Sequence, residues 1–321
     1  MSKPIVYITR CLPEDVVEPY RKHFQIDMWE YEDRPVDRNT LREKAAQADG
    51  LLTVLTEQVD DELLEQCKNL KIVANMAVGF DNIDVDAASK RNISVTNTPD
   101  VLTETTADLT FALMMATARR LVEASSYVKE GKWQNWSPLL LAGTDIHHKK
   151  IGIVGMGRIG EAVARRASGF SMDILYHNRS RKKEAEDELG ATYRSLEALL
   201  EEADYVVCLT PHTPETEKMF DAEAFARMKK DAIFINASRG MTVDEDALIQ
   251  ALKTGEIAAA GLDVFAEEPI DADHPLLQMD NVVCLPHIGS ATKETRYKMM
   301  ELALENIKLV LSGSEPKTPV E

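Results

Sequence analysis

Side chains capable of acid–base chemistry follow three apolar segments in the second half of the sequence. Arg239 follows the first segment, the carboxylates Asp263, Glu267 and Glu268 follow or end the second, and His287 follows the third. If these segments are parallel strands, the residues lie at the carboxyl edge of one sheet, where such folds bind ligands. An arginine can bind a carboxylate and a keto oxygen, and a histidine kept charged by a carboxylate can protonate that oxygen. These residue types together are typical of the reduction of a 2-keto acid.

The same residues also have purely structural interpretations, because a single histidine at a strand end often caps or packs against its neighbours. Carboxylates in buried loops commonly form structural pairs. The remaining histidines lack this setting, and we expect them at the surface or in turns: His23, His147, His148, His177, His212 and His274. The cysteines are scattered without metal-ligand spacing, so reduced structural roles and no metal site are predicted for Cys11, Cys67, Cys208 and Cys284.

A glycine-rich turn carries the pattern Gly-x-Gly-x-x-Gly, with Gly155, Gly157 and Gly160 at its fixed positions. It follows an apolar segment and opens a predicted helix, which is the context in which this pattern binds a dinucleotide. The first glycine permits the tight turn, the second lets a pyrophosphate approach, and the third lets helix and strand pack closely. Free N–H groups at the helix start then hold the phosphates. We therefore expect the cofactor to contact this turn, including Arg158 and Ile159.

The next predicted strand ends in a basic cluster formed by Asn178, Arg179, Ser180 and Arg181. A protein that prefers NAD carries Asp or Glu here to bind the ribose 2′-hydroxyl, whereas arginine suits the 2′-phosphate of NADP. The cluster contains no carboxylate, so NADP(H) is the predicted cofactor, with NAD(H) as the alternative. The structural alternative is a solvated basic start to the following helix.

Alternating apolar segments and amphipathic helical patterns position these motifs and predict an α/β fold with two parallel sheets. Strands are predicted at residues 5–9, 25–29, 50–55, 71–77, 93–97, 151–155, 173–178, 205–210, 232–237, 259–264 and 282–285. Helices are predicted at residues 13–23, 39–48, 60–67, 85–91, 158–168, 182–189, 195–203 and 293–311. One uninterrupted helix is expected from 103 to 129, because no turn signal lies inside that stretch.

Length and composition exclude several classes of protein. The 321 residues suffice for two domains, and 44% hydrophobic with 28% charged residues is typical of a globular protein. The formal net charge of −17 repels phosphate backbones and anionic lipids, so neither nucleic acid nor a membrane is an expected partner. The absence of a signal-peptide pattern and of any stretch of roughly 20 apolar residues predicts a cytoplasmic protein.

Over nearly its whole length the sequence resembles the D-isomer-specific 2-hydroxyacid dehydrogenase family, and within it the glyoxylate/hydroxypyruvate reductases and bacterial 2-ketogluconate reductases. Residues 77–84 and 98–108, together with the glycine turn and the three segment ends described above, carry the resemblance. It implies two Rossmann-like or flavodoxin-like parallel-sheet domains. The NAD(P)-binding Rossmann domain at 100–289 is inserted in a substrate-binding domain formed by 1–99 and 290–321. A homodimer is also implied.

The resemblance implies roles for individual residues. Arg239, Glu268 and His287 are the expected catalytic residues, and Arg239 and His287 also contact cofactor and substrate. Further cofactor contacts are implied for Thr106, Pro211, Ala237, Asp263 and Gly289, and further substrate contacts for Leu55, Val78, Gly79 and Trp136. Trp136 has two interpretations, because it can reach the neighbouring subunit's site or lie in the core of a dimer interface.

The activity implied by the resemblance is reduction of a short 2-keto acid, such as glyoxylate, hydroxypyruvate or 2-ketogluconate, to the D-2-hydroxy acid. It proceeds by hydride transfer from NADPH, with His287 as the general acid. One alternative is an NAD-dependent D-2-hydroxyacid dehydrogenase for other substrates, such as D-3-phosphoglycerate or D-lactate. Another is a binding protein that senses a dinucleotide without catalysis, which the joint presence of Arg239, Glu268 and His287 disfavours.

Overall fold

The computed structural model describes residues 3–320, which divide into two compact units. Unit 1 contains residues 3–102 and 291–320, and unit 2 contains residues 103–290. Unit 2 is therefore inserted into unit 1 in the sequence, and each unit is built on one parallel sheet. The predicted fold class is confirmed, whereas the functional roles expected of the two segments stay predictions.

Unit 1 contains a five-stranded sheet with the order β2-β1-β3-β4-β5. Its strands are β1 (Ile5–Ile8), β2 (Gln25–Met28), β3 (Gly50–Thr53), β4 (Ile72–Asn75) and β5 (Ser94–Thr96). All except the edge strand β2 are largely buried, as expected for a parallel sheet with helices on both faces. The strands are connected by α1 (Glu14–Val17), a 3₁₀ helix (Glu18–Tyr20), α2 (Arg38–Gln47), α3 (Asp61–Gln66) and α4 (Val85–Lys90).

Aspartate side chains mark the beginnings of three of these helices. Asp37, Asp60 and Asp84 each precede a helix and accept hydrogen bonds from its first backbone N–H groups. These bonds satisfy donors that have no partner inside the helix. The last helix of the chain, α12 (Lys293–Leu311), packs against β3, β4 and β5. After α12 the chain reaches the edge of the sheet, where β5 forms an antiparallel bridge with Pro319.

Unit 2 contains a seven-stranded sheet with the order β12-β11-β10-β9-β6-β7-β8. Its strands are β6 (Lys150–Val154), β7 (Asp173–His177), β8 (Thr192–Tyr193), β9 (Tyr205–Cys208), β10 (Ile233–Asn236), β11 (Ala259–Leu262) and β12 (Val282–Cys284). Its helices are α5 (Thr103–Ala118), α6 (Leu121–Lys129), α7 (Arg158–Gly169), α8 (Lys183–Leu189), α9 (Leu196–Glu202), α10 (Ala222–Arg227) and α11 (Glu245–Thr254), with 3₁₀ helices at Gly240–Thr242 and Pro275–Gln278. The strand order reverses between β6 and β9, and doubly wound sheets bind ligands beside such a reversal.

Two hydrophobic clusters of buried side chains support the strands of unit 2. One cluster contains Phe220 and Phe225, whose rings both contact that of Phe234. The other contains Tyr176 and Tyr205. Each fully buried large side chain contributes about 1.5–3 kcal/mol to stability, so the carboxyl ends of the strands are held on a firmly packed scaffold.

The predicted uninterrupted helix over 103–129 is wrong. α5 ends at Ala118 and α6 begins at Leu121, because Arg120 adopts a left-handed conformation with φ of 52°. The Ala118 carbonyl accepts a hydrogen bond from the Thr144 N–H at 2.9 Å, so a returning loop takes the place of the next helical turn. Helices α10 and α11 and the two-residue strand β8 were not predicted either.

Within residues 3–320, no helix has the length and apolar composition needed to cross a lipid bilayer. The same part of the chain contains no group of three or more His, Cys, Asp or Glu side chains arranged to hold a metal ion. All four cysteines are free thiols, and Cys67 and Cys208 are buried.

Candidate active site

The glycine-rich turn joins β6 to α7, beside the reversal of strand order in unit 2. Gly155 has a φ of 104°, and a Cβ atom there would lie 2.7 Å from the carbonyl carbon of Leu209. Gly157 is the N-cap of α7, and a Cβ atom there would meet nothing within 4 Å, so the space beside the turn is open. Exposed backbone at a helix N-terminus is what a pyrophosphate group requires. The turn therefore fits the phosphates of a dinucleotide.

The residues of the basic cluster after β7 have different surroundings in the structure. Arg181 turns onto α8, where its guanidinium contacts both carboxylate oxygens of Glu186, at 3.0 and 2.6 Å. Arg181 and a neighbouring tyrosine hydroxyl lower the pKa of Glu186 to about 2. Arg179 and Ser180 are exposed at the strand end, and Asn178 donates to the Ser180 carbonyl at 3.2 Å. Arg179 and Ser180 are thus placed to meet a ligand, whereas Arg181 is engaged within the protein.

Arg239 lies in a turn that the buried side chain of Asn236 organises. Asn236 Oδ1 accepts from the N–H and the hydroxyl of Ser238 at 3.1 and 2.8 Å, and Nδ2 donates to the Arg239 carbonyl at 3.0 Å. The next residue, Gly240, packs on the loop after β11 so closely that a Cβ atom would lie 1.8 Å from the Phe265 carbonyl carbon. This packing places the Arg239 turn directly against the loop that carries Glu268.

Glu268 and His287 form a hydrogen-bonded pair, with 2.6 Å between Glu268 Oε2 and His287 Nδ1. The other carboxylate oxygen accepts from the Phe265 N–H at 3.0 Å. Partial burial is the largest single influence and favours the neutral acid. The hydrogen bond and charge of His287, the Phe265 N–H and the Arg239 charge together outweigh it and hold the pKa of the Glu268 carboxyl below its usual 4.5. Within residues 3–320, Nε2 of His287 has no hydrogen-bond partner, so this nitrogen is available to a ligand.

Asp263 is buried at the end of β11, and its Oδ1 accepts from the Ile288 N–H at 2.8 Å. Burial raises the pKa of this carboxyl, although hydrogen bonds from the 288–289 backbone and the charge of His287 oppose the rise. A Cβ atom on Gly289 would lie 3.2 Å from Asp263 Oδ2 and 3.3 Å from the Thr106 side chain. Three residues predicted to contact the cofactor, Thr106, Asp263 and Gly289, therefore lie together.

The other predicted cofactor contacts of unit 2 follow the same edge of the sheet. Pro211 is exposed after β9, and its carbonyl accepts from the Thr216 hydroxyl at 2.7 Å. Ala237 directly follows β10 and is partly buried. Arg158 and Ile159 form the first turn of α7. Because all strands of this sheet are parallel, their carboxyl ends share one edge.

In unit 1, the residues predicted to bind substrate follow β3 and β4. Leu55 lies in the first loop, and Val78 and Gly79 lie in the second; all three are partly buried. Asn82 joins the two loops, because its Nδ2 donates to the Val54 carbonyl at 3.0 Å and to a second carbonyl of the same loop at 2.9 Å. Within the described part of the chain, the N–H groups of Val78 and Gly79 donate to no protein acceptor. Two backbone donors are therefore left for an anionic ligand.

Several side chains that shape these loops were not singled out from the sequence. Asn75, at the end of β4, donates to the Gly79 carbonyl at 2.9 Å. Glu57 is buried after β3, pairs with Arg10 at 2.8 Å and accepts from the Val54 N–H at 2.9 Å. A buried polar group needs partners, so the polar Asn75 inside an apolar strand was the signal that could have marked this network.

Trp136 lies in the segment that follows α6, and 79% of it is exposed. Other large apolar side chains of α6 and this segment are exposed as well: Leu121, Val122, Val128, Trp133, Leu139 and Leu140. Such a concentration of exposed apolar side chains is uncommon on a monomeric protein.

Comparisons with known proteins identify the family of the chain. Residues 111–289 match the family described as D-isomer specific 2-hydroxyacid dehydrogenase, NAD binding domain. A glyoxylate reductase of Korarchaeum cryptofilum is 50% identical over 315 residues, which cover 98% of this chain and 95% of that relative. A Thermus thermophilus protein of known structure gives a TM-score of 0.92 at 43% identity, covering 99% of this chain and 100% of that chain. An NADPH-dependent glyoxylate/hydroxypyruvate reductase of Sinorhizobium meliloti, crystallised with NADP and malonate, gives a TM-score of 0.84 at 36% identity, covering 99% of this chain and 97% of that chain.

The chain belongs to the D-isomer specific 2-hydroxyacid dehydrogenase family. The resemblance identified from the sequence is thereby confirmed. The protein is an oxidoreductase of this family, and the residues that match the family's NAD binding domain, 111–289, lie within unit 2.

Proposed function

We propose that this chain reduces a short 2-keto acid to the D-2-hydroxy acid, with NADPH as the preferred cofactor. Glyoxylate, hydroxypyruvate and 2-ketogluconate are the candidate substrates. The observation that carries the proposal is the hydrogen-bonded Glu268–His287 pair, with Arg239 beside it at the carboxyl edge of the unit 2 sheet. The substrate class is supported by 50% identity to a glyoxylate reductase.

His287 is the general acid in this proposal. Nδ1 is bonded to Glu268, so Nε2 is the nitrogen that can deliver a proton to the keto oxygen. The pKa of Glu268 lies below its usual value, so its carboxylate is ionised at neutral pH and stabilises a protonated imidazole. The pair thus supplies the proton and holds the ring in a fixed orientation.

Arg239 binds the carboxylate and the keto oxygen of the substrate in this proposal, because a guanidinium offers several donors in one plane. The free N–H groups of Val78 and Gly79 provide further donors for the carboxylate. A cofactor held by the glycine turn and by Thr106, Asp263 and Gly289 supplies the hydride when bound. Leu55 lines the substrate site.

The preference for NADPH is assigned to Arg179 and Ser180. Both are exposed at the end of β7, where the ribose 2′-position of a bound dinucleotide lies in this class of fold. Arg181 contributes less, because it is paired with Glu186. The NADPH-dependent reductase of Sinorhizobium meliloti supports this preference.

We further propose a homodimer that covers the exposed apolar side chains of α6 and the following segment. Trp133, Trp136 and Leu139 are each more than half exposed, at 58%, 79% and 80%. Large apolar residues are enriched in the cores of homodimer interfaces. Trp136 lies between Trp133 and Leu139 in the sequence, and it either packs in the interface or enters the substrate site of the second subunit.

The test is oxidation of NADPH, and separately of NADH, by the purified full chain with glyoxylate, hydroxypyruvate and 2-ketogluconate. Turnover that is faster with NADPH is expected. Turnover with NADH alone would retain the reductase and overturn the role of Arg179 and Ser180. If no keto acid is reduced, while D-lactate or D-3-phosphoglycerate is oxidised with NAD, the alternative dehydrogenase replaces this proposal. Without turnover in any arm, the dinucleotide-sensing protein replaces it.

A further inference from the structure

The peptide group between Val78 and Gly79 is fixed from one side. Asn97 Nδ2 donates to the Val78 carbonyl at 2.8 Å. In a trans peptide the carbonyl and the following N–H point in opposite directions within one plane. Holding the Val78 oxygen therefore also fixes the direction of the Gly79 N–H, which has no protein acceptor within residues 3–320.

The neighbouring peptide groups are fixed in the same manner. The Ala77 carbonyl accepts from the Thr98 N–H at 2.7 Å, which fixes the direction of the Val78 N–H. The Gly79 carbonyl accepts from Asn75 Nδ2 at 2.9 Å. Three consecutive carbonyls are thus bonded within the protein, while the N–H groups of Val78 and Gly79 stay available to a ligand.

Asn97 is itself held by the segment that follows α12. Its N–H donates to the Thr318 carbonyl at 3.3 Å, and its carbonyl accepts from the Thr318 hydroxyl at 2.6 Å. The buried Asn306 of α12 donates to the same hydroxyl oxygen at 2.8 Å and accepts from the Lys317 N–H at 2.8 Å. A continuous series of hydrogen bonds therefore runs from α12 through Thr318 and Asn97 to the Val78–Gly79 peptide.

We infer that Asn97 is a positioning residue that aims the Gly79 N–H at the substrate carboxylate, and that Thr318 and Asn306 hold Asn97 for this task. The inference rests on the proposed binding of a 2-keto acid by the Val78–Gly79 loop. The segment after α12 then serves substrate affinity and does more than close the edge of the sheet. Because the carboxylate is bound equally in the ground state and during the reaction, losing Asn97 weakens binding more than it slows turnover.

The test compares steady-state kinetics of the parent with Asn97→Ala, Thr318→Val and Thr318→Ser. For Asn97→Ala we expect the KM for the keto acid to rise about tenfold while kcat changes by less than about threefold and the KM for NADPH stays unchanged. Thr318→Val, which removes the hydroxyl and keeps the shape, should raise the same KM by about threefold, since it acts through one further residue. Thr318→Ser keeps the hydroxyl and should behave as the parent.

Asn281→Ala is the matched control, because Asn281 Nδ2 also donates to a carbonyl, that of Ala258, at 3.0 Å in unit 2. It should leave the KM for the keto acid unchanged. The positioning role would be overturned if Asn97→Ala left the KM for the keto acid unchanged. It would also be overturned if the KM for the keto acid, the KM for NADPH and kcat all worsened by the same factor. If Asn97→Ala does not fold, Thr318→Val and Thr318→Ser decide the question by the same criterion.

Hydrogen exchange separates this inference from the proposed function. Oxamate, a carboxylate analogue of a short 2-keto acid, should slow exchange in peptides containing residues 77–80 of the parent and not of Asn97→Ala. If the parent reduces no keto acid but shows this protection, the proposed reaction fails and the positioning role stands. If oxamate protects the parent and Asn97→Ala equally, or protects neither, the positioning role is overturned.

Discussion

The two units hold their predicted ligand-binding loops by different physical means. In unit 2 the backbone itself is packed closely, with Gly155 against the strand end at Leu209 and Gly240 against the loop after β11. In unit 1, side-chain amides hold the loop in place, because Asn75 and Asn97 donate hydrogen bonds to the carbonyls of Gly79 and Val78. Unit 2 therefore depends on the absence of side-chain atoms at its glycines as well as on side-chain hydrogen bonds such as those of Asn236, whereas the Val78–Gly79 loop of unit 1 is held by hydrogen bonds, two of them from side-chain amides.

This difference matches what each loop is expected to bind. A pyrophosphate lies against bare backbone at a helix N-terminus, which requires glycine. A small carboxylate held by two N–H groups requires those groups to point in a defined direction. Hydrogen bonds to the carbonyls of the same peptide groups fix that direction, because a peptide group is planar. Substitutions should therefore damage unit 2 by adding atoms or removing charged groups, and unit 1 by removing hydrogen bonds.

The largest effect is expected at the charged pair of unit 2. His287→Ala should lower kcat by about 10²- to 10⁴-fold, because it removes the proposed proton donor. Steady-state kinetics with a keto acid and NADPH measures the change. His274→Ala is the matched control, since the His274 ring also faces a carboxylate, that of Glu245 at 3.6 Å, and should leave kcat unchanged. Equal losses in both variants would contradict a catalytic role for His287.

Adding one carbon atom to a packed loop of unit 2 should have the next largest effect. Gly240→Ala places a Cβ atom where only 1.8 Å separates it from the Phe265 carbonyl carbon, so the two loops must move apart. We expect a loss of about 2–4 kcal/mol in the free energy of unfolding, measured with a chemical denaturant. Gly169→Ala is the control, because a Cβ atom there meets nothing within 4 Å. Unchanged stability in Gly240→Ala would show that the loops are not closely packed.

Removing the charge of Glu268 while keeping its shape should have a smaller effect than removing His287. Glu268→Gln should lower kcat by about 10- to 100-fold, because the neutral amide orients the imidazole but does not stabilise its charge. Steady-state kinetics at neutral pH measures this change. A loss as large as that of His287→Ala would show that His287 cannot act as the acid without the charge of Glu268.

The variant Glu268→Gln also tests whether the pKa of Glu268 is lowered, through the pH dependence of the free energy of unfolding. The folded-state pKa lies below the usual 4.5, so stability from the ionised carboxylate is present above pH 4.5 and is lost as the pH falls through the lowered value. Glu268→Gln lacks this contribution at every pH. The free energies of unfolding of parent and variant should therefore differ most near neutral pH and converge in acid, and a gap that widens in acid would contradict the lowered pKa.

The smallest effect concerns the choice of cofactor. Arg179→Ala should reduce the preference for NADPH over NADH, measured as the ratio of kcat/KM values, by about tenfold, since one charge-assisted contact is lost. Arg181→Ala is the internal comparison and should change the ratio less, because Arg181 is bound to Glu186. If Arg181→Ala has the larger effect, ligand binding must release Arg181 from Glu186.

The two units also differ in how far their sites could be predicted from the sequence. In unit 2, glycines and charged residues follow apolar strands at recognisable spacing, and the structure brings Glu268 and His287 into contact. In unit 1, Val78 and Gly79 were found only through a family resemblance. Asn75, which holds the Gly79 carbonyl, is only four residues away, but Asn97, which holds the Val78 carbonyl, and Thr318, which holds Asn97, lie farther along the chain, and no local pattern indicates them.

One error in secondary structure, the uninterrupted helix predicted over 103–129, has the same cause. The break of the predicted helix at Arg120 depends on the Thr144 N–H, which returns to the end of α5 from a distant loop. Local propensity contains no information about such a contact. By contrast, all strands except the two-residue β8 were predicted, because burial in a parallel sheet produces continuous apolar segments.

Because unit 2 is inserted in unit 1, the ribosome begins unit 1 first but completes unit 2 first. All five strands of unit 1 are made first, but α12, which covers β3, β4 and β5, is made last, after the whole of unit 2. The apolar strands that α12 covers in unit 1 therefore stay uncovered until unit 2 has been synthesised. Such exposed surface is prone to aggregate and is what chaperones bind, so the insertion makes unit 1 the vulnerable half during synthesis.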